Sequence, residues 1–291
     1  MSDAAAARTI AFQGQPGAYS DLACRRVFPA MTTLPCAAFE DAFAAVREGN
    51  AALGMIPIEN SVAGRVADIH HLMPESGLFI IGEHFERVIH HLLGLPGATL
   101  DTIRTVRSHV HALSQCRNFV RAHGLTPVVA ADTAGSAAEI KERGDKSIAA
   151  IASELAGQIY GLVSLAENIE DAEHNTTRFL IMSRDAKWAS ADVPAVTTFV
   201  FNVKNVPAAL YKAMGGFATN GVNMTKLESY MVGGNFTATQ FYADVEAHPD
   251  NRPLKLALEE LRFFSTEVKI LGVYPAHELR IAARQQESGK N

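Results

Sequence analysis

Short runs of β-branched and aromatic residues alternate with amphipathic stretches over positions 9–183, the pattern of an α/β layered domain with mostly parallel strands. The runs 9–12 and 53–58 read as strands, with helical periodicity at 19–28 and 39–48 between them. Pro57 and the polar pair Glu59 and Asn60 predict that the second strand gives way to a loop at those residues. The stretch 78–95 reads as one or two long strands. A fresh series follows, with strands at 102–107, 126–130 and 147–151 and helices at 109–123, 133–143 and 153–160. Two such series predict two lobes. Open α/β sheets bind small ligands beyond the carboxyl ends of their strands, so a cleft between the lobes is the natural site.

Around 183–194 (SRDAKWASADVP) the periodicity lapses into small and charged residues with a proline, which reads as a linker. Beyond it come a strand at 195–203, a helix at 208–220, strands at 224–232 and 236–246, a helix at 253–264 and a strand at 267–274. That βαββαβ order is the ferredoxin-like split unit. Gly233, Gly234 and Asn235 are placed to turn the hairpin between its middle strands. From His277 onward the chain is polar, and the expectation is a frayed or weakly helical tail.

Composition narrows the function classes. The formal charge of −5 argues against a broad basic surface for nucleic acid or anionic lipid, so any bound anion is held locally. Cys24, Cys36 and Cys116 are odd in number and far apart, which speaks for reduced thiols rather than a zinc or redox pair. The start MSDAAAAR has no apolar secretory segment, and no stretch reaches the roughly 18 apolar residues of a membrane span. A cytoplasmic protein is the expectation. His70 with His71, and His90 with His91, are adjacent and make poor chelates, so neither a metal nor any other cofactor is expected.

Four segments carry candidate chemistry, each with a plain structural alternative. In GQPGAYS at 14–20, Gly17 permits close backbone approach to a ligand, and Ser20 can cap the helix while leaving amides toward the cleft; a glycine-rich turn is equally often only a turn. In IPIENS at 56–61, Glu59 and Asn60 can orient a substrate hydroxyl, or Asn60 and Ser61 can simply cap. In SHVHALSQC at 108–116, Ser108 reads as an N-cap beside free amides with Gln115 two turns on, though Gln115 can equally face solvent. DTAGSA at 132–137 repeats the arrangement with Thr133 at a helix start. Finally, HNTTRF at 174–179 enters a strand, where a threonine is ordinarily a β-branched filler and an arginine an edge guard.

Taken in order, these segments resemble those of prephenate dehydratases across almost all of 9–183, and the AsnXaaThrArgPhe motif is present as Asn175, Thr177, Arg178 and Phe179. The resemblance implies a two-lobed, periplasmic-binding-protein-like α/β catalytic domain over 8–184 that converts prephenate to phenylpyruvate without a cofactor. It makes Thr177 the essential hydroxyl, sets Glu59, Asn60, Ser108 and Gln115 in the active site, and gives Arg178 a substrate carboxylate. Phe179, Asn175, Tyr19, Ser20, Thr133 and Ala134 are implied as substrate-binding. This chain has Val110 and His111 where the family commonly has proline and glutamine.

The C-terminal unit, 195–275 with a tail at 276–291, resembles an ACT regulatory domain. PAAL at 207–210 and GVNMTKLES at 221–229 match segments that hold phenylalanine between two subunits, which implies Ala209, Leu210, Asn223, Met224, Glu228 and Ser229 as effector contacts and a dimer or tetramer. Two departures stand out: Ala208 replaces a usual glycine, and Tyr230 with Met231 replaces ArgPro.

Aromatisation drives the reaction, so the site has to orient the ring carboxylate and supply a proton or strong hydrogen bond to the departing hydroxide. Thr177 is the expected donor, with Glu59, kept protonated by burial, as its rival. Arogenate dehydratase, acting on the amino-acid counterpart, and a non-catalytic two-lobed binding protein are the competing readings.

Overall fold

The computed structural model describes residues 3–66, 69–231 and 238–288. The expected hairpin turn at Gly233, Gly234 and Asn235 lies outside the described residues. The chain forms two compact units, Met1–Ala67 with His84–Phe179, and Asp68–Glu83 with Leu180–Asn291.

The first unit holds two sheets. In one, the order is Thr176–Ser183, Leu53–Asn60, Thr9–Gln13 and Thr32–Cys36, with Thr9–Gln13 parallel to both of its neighbours. Ile10, Ala11 and Phe12 are wholly buried, as a central parallel strand covered on both faces requires. Contrary to the sequence expectation, Leu53–Asn60 stays a strand through Glu59 and Asn60, then pairs back on itself through Gly64–Arg65. Pro57 is tolerated because the ladder to Thr9–Gln13 ends at Met55.

The second sheet runs Val163–Ala166, His91–Gly94, Ile148–Ala152, Thr105–His109 and Thr126–Ala130. Its strand Ile148–Ala152 shows how alternation builds two cores. Ala149 and Ile151 pack with Val106, Leu113 and Val120 on one face, whereas Ala150 and Ala152 pack with Ala134, Ile140 and Ala156 on the other. The helix Thr133–Arg143 begins at an Asp132 cap that accepts from Gly135 N and ends at left-handed Gly144. The helical stretch expected at 109–123 breaks at Cys116 into Val110–Gln115 and Arg117–Ala122, because Asp171 accepts from Arg117 N and Asn118 N and starts a new helix there.

The second unit contains the βαββαβ element order of a ferredoxin-like fold. Its antiparallel sheet runs Met224–Met231, Ala238–Val245, Ala195–Val203 and Ser265–Pro275. Helices Ala209–Thr219 and Arg252–Phe264 cover one face, where Phe201 stacks on Phe241 at 5.2 Å and Phe199 on Phe217 at 5.9 Å. The opposite face is polar and buried: Thr198 donates to Asp244, and the hydroxyl of Tyr230 meets His70 Nδ1 at 2.7 Å. His70 belongs to the helix Ile69–Glu75, so part of this face is covered by a segment that lies in sequence between the strands of the two lobes. The tail is a helix, Glu278–Ser288, tied through Arg280 to Glu83 and Glu246.

Ala208 has φ 61 and ψ 18, a left-handed conformation just before Ala209–Thr219. An L-residue there pays about 1–2 kcal/mol, and glycine gives back about 0.4–1 kcal/mol through its freer unfolded chain. We expect Ala208→Gly to stabilise this unit by up to about 1 kcal/mol, read as a higher denaturant midpoint. An unchanged or lower midpoint would count against backbone strain at this position.

Candidate active site

Neighbouring strands Leu53–Asn60 and Thr176–Ser183 place the motif residues, and side-chain alternation sorts them into two pairs. Asn60 meets Thr177: its Nδ2 donates to Thr177 Oγ1 at 3.0 Å and to Asn175 Oδ1 at 2.8 Å. Glu59 meets Arg178, with Nη1 to Oε1 at 2.9 Å. The strand ends are fixed by Ser61, whose N donates to Thr176 O and whose hydroxyl accepts from Thr176 N and donates to His174 O.

The polarity of this network is determined by backbone groups. Val62 N and Ala63 N, which can only donate, both point at Asn60 Oδ1, at 2.9 and 2.8 Å. Asn60 Nδ2 is therefore the donor toward Asn175 Oδ1, and Asn175 Nδ2 donates in turn to Gln115 Oε1 at 2.9 Å. Since Thr177 Oγ1 accepts from Asn60, its own hydrogen points elsewhere. Among the described residues no protein acceptor meets that hydrogen or the Gln115 N–H groups. The site thus presents a hydroxyl donor and a carboxamide donor, both from half-buried side chains.

The remaining candidates are placed as follows. Ser108 is fully buried, and its hydroxyl donates to Ile151 O at 2.6 Å; the N-cap is His109, not Ser108, so the expected cap role is corrected. Ser20 is likewise no cap: Ala18 holds that position without a side-chain bond, and Ser20 is a buried helical residue. Gly17 approaches protein rather than ligand. A Cβ there would lie 2.7 Å from Ala156 Cα, Gly17 N donates to Asp21, and Gly17 O accepts from Ser153. Thr133 does open its helix, but Asp132 already occupies that N-terminus, which opposes an anion there. Ala134 packs in a core and Phe179 is 1% exposed, so neither side chain is presented to a ligand. Arg178 is 2% exposed and engaged by Glu59, on the opposite side of its strand from Thr177.

Tyr19 and His90 extend the network. Tyr19 OH lies 2.7 Å from Ile89 O and 2.8 Å from His90 Nδ1, and His90 Nε2 lies 2.9 Å from Gln115 Oε1. Burial holds the His90 imidazole below its ordinary pKa, outweighing the Gln115 bond and Glu170 that oppose it. Burial, with Cys116 and Glu170 nearby, pushes the Tyr19 phenol well up, so it stays protonated. Sequence reasoning missed His90, because adjacent histidines invited a metal question and nothing local marked one ring as a partner for residue 115. Among the described residues no group of three His, Cys, Asp or Glu side chains is gathered for a metal. Cys24, Cys36 and Cys116 are free and buried, and burial raises the thiol pKa of each.

In the second unit the candidate effector residues divide. Ala209, Leu210 and Met224 belong to or pack on its core, Asn223 and Ser229 are exposed, and Glu228 pairs with Lys226 at 2.7 Å. Ala208, Leu210, Tyr211 and Phe241 line a shallow depression. Phe241 also faces Ser229 across the ladder, so the two candidate segments converge on it.

Two α/β lobes joined by a hydroxyl and carboxamide network define the class: an enzyme that aims hydrogen-bond donors at a small polar substrate. The family model for prephenate dehydratase matches residues 10–187. A bifunctional N-acyl-homoserine lactone acylase/prephenate dehydratase of Komagataeibacter europaeus is 56% identical, over 94% of this chain and 98% of its own. The chloroplastic arogenate dehydratase/prephenate dehydratase 1 of Arabidopsis thaliana is 38% identical, over 93% and 73%. The solved prephenate dehydratase of Arthrobacter aurescens, in complex with L-Phe, superposes with TM-score 0.83 at 31% identity, covering 92% of this chain and 90% of that one. The chain belongs to the prephenate dehydratase family.

Proposed function

We propose that the protein forms phenylpyruvate from prephenate with the Thr177 hydroxyl as donor to the departing ring hydroxyl. The bond from the ring to its carboxylate breaks, carbon dioxide leaves, and the freed electron pair moves through the ring to expel hydroxide, which leaves hydrogen-bonded to the Thr177 hydroxyl and is neutralised by a proton from solvent. The side-chain carboxylate survives into the product. Asn60 directs the Thr177 hydrogen by occupying its oxygen, and Gln115 supplies a second N–H donor. One observation carries this reading: Thr177 accepts from Asn60 and has a hydrogen to give.

Thr177 is preferred to Glu59 as donor because a guanidinium at 2.9 Å stabilises a carboxylate over a carboxylic acid. Arg178 then steadies Glu59. Ser108 acts through the backbone of Ile151, holding the strand that leads to the helix of Gln115. A rate that falls as a carboxylic acid ionises would restore Glu59 to the donor role.

Phenylpyruvate release, read by its absorbance in alkali, tests the reaction; no product from prephenate would overturn it. Specificity constants for prephenate and arogenate, measured side by side, decide between the two substrates, and prephenate is the expected winner. The bifunctional relative adds one further assay, N-acyl-homoserine lactone hydrolysis by the same preparation, because 56% identity extends over nearly the whole chain.

The second unit is read as an ACT domain that binds phenylalanine near Ala208, Leu210 and Phe241 in a dimer or tetramer. The L-Phe complex of the Arthrobacter enzyme supports an effector of this type. Coupling requires that phenylalanine bind two states of the protein unequally. Sedimentation and activity titrated with phenylalanine test it, and a monomer indifferent to phenylalanine refutes it. Three buried free thiols support a reducing compartment, and we assign the cytoplasm. Among the described residues no helix is long and apolar enough to cross a membrane.

A further inference from the structure

The donor directions fixed by Asn60 have a consequence beyond the motif. Gln115 Oε1 already accepts from Asn175 Nδ2 and can offer His90 only a second lone pair. His90 Nε2, 2.9 Å from that oxygen, must therefore carry a hydrogen. We propose that His90, protonated at Nε2, is a positioning residue that holds the Gln115 carboxamide with its N–H groups toward the substrate. This role rests on the dehydratase reading above; the placement of the proton does not.

Three observations support the assignment. First, the histidine is built in rather than merely nearby: His90 is 2% exposed, its N donates to Glu170 Oε2 at 2.9 Å, and its O accepts from Ile169 N at 3.2 Å. Its backbone is thus held at both ends by one segment. Second, the ring is oriented from behind. Tyr19 OH reaches Nδ1 at 2.8 Å, with the two rings edge to face at 5.5 Å. In the neutral ring, which burial favours, the single Tyr19 hydrogen is shared between Ile89 O and Nδ1, and the ring hydrogen stays on Nε2, the nitrogen that faces the Gln115 oxygen. In the cation Nδ1–H donates to Tyr19, whose hydroxyl turns to Ile89 O, and Nε2 still carries its hydrogen. The proton facing Gln115 is the same in both states. Third, without His90 a Gln115 carboxamide rotated by half a turn would present its oxygen, not its nitrogen, to the substrate. Asn175 alone opposes that rotation, with one hydrogen bond. A carboxamide that samples both orientations loses a donor in part of the population, and small misplacements of this kind cost about 10- to 100-fold in rate.

The proposal separates two conservative replacements. The terminal nitrogen of glutamine can stand where Nε2 stands, whereas that of asparagine falls near Nδ1 and cannot reach Gln115. With prephenate, His90→Asn is expected to lower kcat by about tenfold or more with KM within about twofold, and His90→Gln to stay within about threefold of wild type. Both variants are checked for an unchanged denaturant midpoint. Equal losses in the two variants, or wild-type kcat in His90→Asn, would overturn the role. The second measurement needs no variant: ¹⁵N chemical shifts of the ring nitrogens in wild-type protein, assigned by correlating the ring with the sequentially assigned backbone of His90. A neutral ring with its hydrogen on Nε2 is expected, and a hydrogen on Nδ1 alone would refute the proposal whether or not either variant folds. Wild-type protein that makes no phenylpyruvate would sink the dehydratase reading instead, and would leave the ¹⁵N result standing.

Discussion

Thr177→Ala should lower kcat for prephenate by about 10²–10³ while leaving the fold intact, the cost of deleting one aimed donor to a developing anion. The side chain is half-buried and bears no load in a core, so the truncation removes chemistry more than packing. Its oxygen is one of two targets of the Asn60 amide, and Asn175 Oδ1 remains to hold that amide when the hydroxyl is gone. Thr177→Ser keeps the hydroxyl but frees its rotamer, and a loss of about tenfold or less is expected. Phenylpyruvate absorbance gives kcat directly. Wild-type turnover in folded Thr177→Ala would end the assignment of the donor.

Asn60→Asp is expected to be nearly as damaging, and for a different reason. The new carboxylate keeps the Val62 and Ala63 amides but has no hydrogen to give. Thr177 would then donate into position 60, and its hydrogen would be withdrawn from the substrate. Asn175 Oδ1, facing a carboxylate oxygen at hydrogen-bond distance, would turn over and disturb Gln115 in the same stroke. A loss of about 10² or more in kcat follows from a change that leaves side-chain volume almost untouched. The pair of variants is informative together. Combining Asn60→Asp with Thr177→Ala should cost less than the product of the two single losses, because the part of the charge's effect that acts through the hydroxyl is already gone. Fully multiplicative losses would mean that Asn60 acts mainly through Asn175 and Gln115 rather than through Thr177.

Much of this arrangement was legible in the amino acids, and the failures have identifiable causes. The helix Thr133–Arg143 matched its expected limits because both ends carry chemistry of their own, Asp132 ahead and Gly144 behind. The strands Thr32–Cys36 and Val163–Ala166 escaped notice: both are sheet edges with partly exposed residues, so no apolar alternation marks them. The break at Cys116 was invisible because the residue that caps the second helix, Asp171, lies over fifty positions downstream. In the site, the family resemblance of three separate segments implies Asn60, Gln115, Asn175 and Thr177, and they are bonded together in the structure. Arg178 illustrates a signal present but unused. Alternation along a strand already sends adjacent residues to opposite sides, which sets Thr177 toward Asn60 and Arg178 toward Glu59. Ser108 failed differently, since a cap and a buried strand residue look the same one position apart.

The contact of Gly17 with Ala156 bears on how the two halves of the site are held in register. There the backbones meet with no room for a methyl group, and the hydroxyls of Ser153 and Tyr160 fasten onto Gly17 O and Pro16 O. Any bulkier residue at 17 would have to force Ala156 and its helix away from this turn. The wedge would reach the chemistry from a distance, by offsetting the lobe that carries Gln115 from the strand end that carries Asn60 and Thr177.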